Sequence, residues 1–289
     1  MAIDNSKQYA FIIGAAKTGT TSISDILAQH PDICLSFPKE SDYFARHYHK
    51  GEDWYDSLFQ GKVHKLRLDA STSYSAGFEG SSEAIAKRIK AACPNAKMVY
   101  VVRDPLERTW SSYWHAKRAG FESDSFMNAI NRADNSHIAG SLYHQRMQEY
   151  LAHFPKENLL VVAFSDFKRN PKQVIDSIIN HLNMSPYSFS EEAYAQKSNA
   201  SFKWKGPFSV VNLLPAKTLK SMTLQIKKIL PTSVVNKMKG AVSEPIPKMT
   251  ENEANATKTK LAADVELFYQ SFNVDVRTSQ WWHSPDNDL

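Results

Sequence analysis

The chain has 289 residues, 42% of them hydrophobic, 11% aromatic and 22% charged, with a formal net charge of +5. This composition can fill a substantial core and excludes a disordered, collagen-like or low-complexity chain, while no stretch approaches the roughly 18 apolar residues of a membrane-spanning helix. Two cysteines, Cys34 and Cys93, can build neither a disulfide framework nor a four-thiolate zinc site.

Residues 9–13 form an apolar run that ends at Gly14, passes through a Gly/Thr-rich turn and enters a helical pattern at 22–27. A short strand is expected at 66–70 and a helix at 84–89, closed by the breaker 93–95. Strands at 98–102 and 158–164 are each followed by a helix, 105–118 and 171–182, with Pro105 and Pro171 suited to the first turn. Alternating β and α segments predict an α/β fold of three layers, with a mostly parallel central sheet and flanking helices. With no Gly/Ser-rich linker, residues 1–289 are expected to form one domain. The loosest stretches are 205–215 and 240–257.

The charge is unevenly placed. Residues 201–260 hold eleven lysines, no arginine and three acids, a local charge of +8, so the rest of the chain carries −3. Leu219, Met222, Ile226 and Leu230 recur at helical spacing, which predicts a basic amphipathic helix. It is either an ordinary surface helix or part of a lysine-rich lid over 205–260, an arm for an acidic polymer or a membrane surface. The polar start, 1–9, lacks the apolar core of a secretory signal, so a cytoplasmic location is expected.

The turn Gly14-Ala15-Ala16-Lys17-Thr18-Gly19-Thr20-Thr21 has the length and place of a phosphate-binding loop, between a buried strand and a helix start. Its N–H groups and the helix dipole favour an anion. The lysine, however, is misplaced for a nucleotide triphosphatase, because GxxxxGK[ST] requires it at position 20. Strand 98–102 delivers Arg103 where a magnesium-holding acid is expected, leaving Asp104 as a weak candidate. A metal-free anion site fits these residues better.

The segments "GAAKTGTTS", "PKESDYFA" and "VVRDPLERTWSSYWH" together resemble the sulfotransferases that use 3′-phosphoadenosine 5′-phosphosulfate (PAPS), and "SLYHQRMQEYLAHFPKENLLVVAFSDFKRNPKQVIDSIINHLNMSP" and "LFYQSFNVDVRTSQWW" are similar to their glycan (heparan-sulfate-type) branch. The resemblance covers roughly 9–190 and 261–282, in family order. It implies that Lys17 and the N–H groups of Thr18, Gly19, Thr20, Thr21 and Ser22 bind the 5′-phosphosulfate, with Lys17 also catalytic. It implies that Arg103 and Ser111 bind the 3′-phosphate and that Glu40 is the general base, a role a carboxylate can fill because partial burial can raise its basicity. His47, His49 and His115 are substitutes in principle for that base. Lys39, Asp42, Tyr74 and Tyr143 are candidates for the acceptor side. The nearest match to the family's covering loop is Lys205-Gly206.

A lysine of the glycan branch is replaced at Asp69-Ala70, which weakens a heparan-like acceptor. The expected activity is therefore transfer of a sulfuryl group from PAPS, without metal, to a hydroxyl of a glycan or glycolipid, or else of a small-molecule or lipid alcohol. No nucleic acid partner is expected; peripheral membrane contact would run through 201–260. Two readings of other classes compete: a P-loop kinase and an inactive polyanion- or membrane-binding protein.

Overall fold

A computed structural model describes residues 8–60, 65–76, 82–195, 202–204 and 243–283. The strands are β1 (Gln8–Gly14), β2 (Ile33–Leu35), β3 (Leu66–Asp69), β4 (Lys97–Val102), β5 (Leu159–Ala163), β6 (Phe202–Trp204) and β7 (Ser243–Pro245). The α-helices are α1 (Thr20–Leu27), α2 (Glu52–Asp56), α3 (Ser82–Ala92), α4 (Pro105–Arg118), α5 (Phe126–Asn131), α6 (Ser136–Ala139), α7 (Tyr143–Leu151), α8 (Phe164–Arg169), α9 (Pro171–His181), α10 (Glu191–Ala195) and α11 (Glu251–Phe272).

Strands β2-β3-β1-β4-β5 form a wholly parallel sheet in that order, and β6 and β7 form a separate antiparallel pair. Every residue of the run 9–13 is buried, because helices cover both sides. Tyr9, Phe11 and Ile13 of β1, with Met98, Tyr100 and Val102 of β4, face a core completed by α3, α4, α7 and α11. Ala10, Ile12, Val99 and Val101 face the other way, onto Ile23, Ile26 and Leu27 of α1 and Val174, Ile175 and Ile178 of α9. The three-layer expectation holds.

The helix starts follow local chemistry. Asp104 caps α4 and Asn170 caps α9, each followed by the proline that its sequence offered for the first turn. Thr250 and Glu253 form a reciprocal capping box that starts α11 at Glu251. Residues 251–257, expected to be loose, are therefore helical, and the signal missed was the Thr-x-x-Glu spacing. Strand β2 was also missed; three residues are too few for periodicity to register, and it exists by pairing with β3. The amphipathic pattern at 219–230 and the pair Lys205-Gly206 lie outside the described residues. Among the described residues, no helix is long and apolar enough to cross a membrane.

In this order β1 is flanked by β3 on one side and β4 on the other, so the connections leave its two flanks in opposite directions. Open α/β sheets leave a crevice beyond the strand carboxyl ends at such a switch point. The loops after β1, β4 and β5 all open onto it.

Candidate active site

A cleft of about 700 Å³ lies at this edge, walled by Lys17 and Gly19 after β1, Arg103 after β4, Glu107, Trp110 and Ser111 of α4 and Phe164 at the end of β5. The opposite wall comes from residues 246–249 and 279–281. Lys17 and Arg103, 86 positions apart in the chain, thus face one cavity, and an Arg103 guanidinium N–H donates to the Lys17 carbonyl at 3.4 Å.

The loop is shaped for an anion. Gly19 precedes α1 with φ +85°, and any side chain there would collide with the Phe164 ring. No side chain caps α1, and its first turn contains no acid, so the N-terminal N–H groups remain directed at the loop's concavity. The Thr18 hydroxyl is buried and donates to the Ala15 carbonyl at 2.7 Å, which leaves Thr18 its N–H for binding. Arg108, also buried, donates to the Ala16 carbonyl at 3.0 Å and the His137 carbonyl at 2.8 Å, pinning the loop from beneath. Burial and then the positive charges of Arg118, Arg103 and Arg108 push the Lys17 ammonium down to about 8. This concentration of positive charge favours an anionic guest.

Arg103 is paired with Glu107, whose Oε2 accepts from the guanidinium at 2.8 and 3.1 Å. The Tyr143 hydroxyl donates to the Arg103 carbonyl at 3.0 Å. Ser111 sits two turns into α4 on the cleft wall. Asp104 is neither exposed nor free to hold a metal. Its Oδ1 accepts from the N–H groups of Leu106 and Glu107, and its Oδ2 from Thr278 and Ser279 N–H and the Trp282 indole at 3.1, 2.7 and 3.1 Å. One buried carboxylate therefore joins the start of α4 to the segment that supplies Ser279, Gln280 and Trp281 to the far wall.

Glu40 lies in the segment after β2 and is held against the stretch that follows β3. Its Oε2 accepts from the Thr72 N–H at 2.8 Å and the Thr72 hydroxyl at 3.1 Å, and its Oε1 from Lys39 Nζ at 2.7 Å. The Glu40 side chain is 42% exposed, and the residue is not among those that wall the cleft. Lys39 also reaches the Ala70 carbonyl, at 3.3 Å. Asp42 accepts from the Ser73 hydroxyl at 2.6 Å, which stitches 40–42 to 72–73.

The two tyrosines assigned to the acceptor side are fully buried. Tyr74 donates to Asp69 at 2.6 Å, and Asp69 also accepts from Ser41, Ser71 and Tyr55. Tyr74 therefore anchors the segment carrying Glu40, and Tyr143 anchors Arg103; neither lines the cleft. Burial raises the Asp69 carboxyl above its usual range, against the lowering by these hydroxyls. The rings of His47 and His49 cluster with Trp54, away from the cleft walls. His115 lies by Arg118, and burial with the charges of Lys17 and Arg118 pushes it down to about 4, which makes it a weak proton acceptor. Sequence reasoning missed Arg108, the wall at 246–249 and the clasp by Asp104. Only the three- and four-residue spacing of Arg108, Ser111 and His115 along one helix face hinted at the first.

The chain resembles known proteins in sequence and in fold. A family model described as the sulfotransferase domain matches residues 7–272. The human bifunctional heparan sulfate N-deacetylase/N-sulfotransferase 2 is 30% identical over 200 residues, 61% of this chain and 22% of that protein. The mouse heparan sulfate glucosamine 3-O-sulfotransferase 3A1 is 33% identical over 171 residues, 55% of this chain and 42% of that one. The chain thus spans about a fifth of the length of the first of these relatives and under half of the second. A crystal structure of a sulfotransferase from Alicyclobacillus acidocaldarius superposes with a TM-score of 0.65 at 22% identity, covering 96% of this chain and 99% of that one, a likeness of fold. With the family's model running from residue 7 to residue 272, almost the whole length of the chain, the protein belongs to the sulfotransferase domain family.

Proposed function

We propose that the chain transfers a sulfuryl group from PAPS to a hydroxyl of a glycan or glycolipid acceptor by in-line displacement, with Glu40 as general base. The observation that carries this reading is the placement of Lys17 and Arg103 with Ser111 on one cleft at the sheet's switch point. The residues fit a nucleotide with anionic groups at both ends. Lys17 and the N–H groups of Thr18 to Ser22 would hold the 5′ end, and Arg103 with Ser111 the 3′-phosphate, where a planar guanidinium can donate twice to one phosphate. The donor supplies an activated sulfuryl group; the protein's part is position and charge neutralisation. Lys17 offsets negative charge developing on the leaving phosphate. Glu40, fixed by Thr72 and Lys39, takes the acceptor proton. The two heparan sulfate sulfotransferases that resemble the chain support a glycan acceptor.

Sulfate transfer from PAPS to a panel of glycans, glycolipids and simple alcohols tests this reading. Glu40→Gln should lower turnover by about 10²-fold or more while affinity for adenosine 3′,5′-bisphosphate stays within about twofold. Parental turnover in Glu40→Gln would remove the base assignment; Mg²⁺-dependent ATP consumption in place of sulfate transfer would favour a kinase.

A further inference from the structure

We infer that Lys248 is a second cationic ligand for the 3′-phosphate, acting across the cleft from Arg103 and Ser111; this rests on the donor reading above. The described walls carry three cations, Lys17, Arg103 and Lys248, and one acid, Glu107. Lys17 belongs to the loop at the amino end of α1, the 5′ end of the cleft. At the 3′ end, Glu107 takes two donors of the Arg103 guanidinium, so that pair is neutral as a unit. A phosphate monoester brings a charge of about −1.5 to −2 near neutral pH. The guanidinium that meets it is already partly neutralised by Glu107, and Lys248 is the further cation on the described walls besides Lys17.

The backbone fixes Lys248 where this role needs it. The Pro247 carbonyl accepts from the Trp110 indole at 2.8 Å, and Trp110 immediately precedes Ser111 on α4. On the other side, Met249 is buried in the core and Thr250 begins the capping box of α11. Residue 248 is thus clamped between two anchored neighbours while its own side chain remains exposed on the cleft. A lysine suits such a position because its ammonium is a point charge on a long flexible stem. It supplies from the far wall a positive charge of the kind that the sequence suggested at Lys205.

Calorimetric titration with adenosine 3′,5′-bisphosphate and with 5′-AMP tests the assignment. Lys248→Met should weaken the bisphosphate by about tenfold or more and 5′-AMP by less than about twofold, and Lys248→Arg should restore most of the loss. Equal losses for both nucleotides, or none, would overturn the role of Lys248 and leave the donor reading standing. If the parent protein binds neither nucleotide, the donor reading itself fails and this inference fails with it.

Discussion

The ammonium of Lys17 connects charge to pH most directly. Held down to about 8 by burial and by Arg118, Arg103 and Arg108, it is half neutral near that pH. A bound anion favours its charged form, so binding draws a proton onto it. Affinity for adenosine 3′,5′-bisphosphate should therefore be full at pH 7 and decline as pH rises through 8 to 9.5. Titrations near pH 8 in buffers of different ionisation enthalpy should reveal proton uptake, and Lys17→Ala should abolish it; a pH-independent affinity over this range would refute the argument. Legibility at this scale was uneven. Lys17, Arg103 and Ser111 could be read because strand, loop and helix patterns bracket them. Tyr74 and Tyr143 could not be placed, because a tyrosine that donates from a core and one that lines a pocket look alike in sequence. Asp104 read as a weak metal candidate because nothing near it in the chain announces partners 174 to 178 residues away.

Among the elements, α4 carries the most. Its first residues follow Arg103, its middle presents Ser111 and Trp110, and its cap is the carboxylate that grips 278–282. Asp104→Ala removes an N-cap, commonly worth about 1 kcal/mol, and also leaves the Ser279 and Thr278 N–H groups and the Trp282 indole without their acceptor. Urea denaturation should show a loss of about 2 kcal/mol or more, and amide exchange should quicken at Thr278 and Ser279 well beyond the change elsewhere. Unchanged exchange at those two amides would show that the clasp does not hold the segment. The bounds of α4 and α9 were legible to within a residue because Asp or Asn followed by Pro marks a helix start chemically. α11 did not register as a periodic helix, since its first turns are polar and the apolar stripe emerges only at Leu261, Val265 and Phe268.

Across the whole molecule, the two cores on either face of the sheet hold the strand ends in register, and the cleft draws its walls from the loop after β1, from Arg103 and the first turns of α4, from Phe164, and from 246–249 and 279–281. A ligand that bridges these walls stabilises all of them together. At a concentration about 100 times its Kd, adenosine 3′,5′-bisphosphate should add about 2.7 kcal/mol to the folded state, seen as a rise of several degrees in Tm. Because the charge in the cleft comes from lysine and arginine, we expect the rise to survive EDTA. A rise that needs Mg²⁺ and ATP would return the chain to the kinase reading. The parallel sheet was legible from alternation alone, whereas the far wall was not: its segments owe their position to tertiary hydrogen bonds from Trp110 and Asp104 and to no local pattern.

That arrangement has a temporal consequence. A ribosome delivers the loop of Lys17 and the guanidinium of Arg103 early, yet the surfaces opposite them emerge only with residues 246–249 and then 279–281. Until the last of these has docked against Asp104, the nascent polypeptide holds only one side of the cleft, and a donor placed there would be gripped from a single wall.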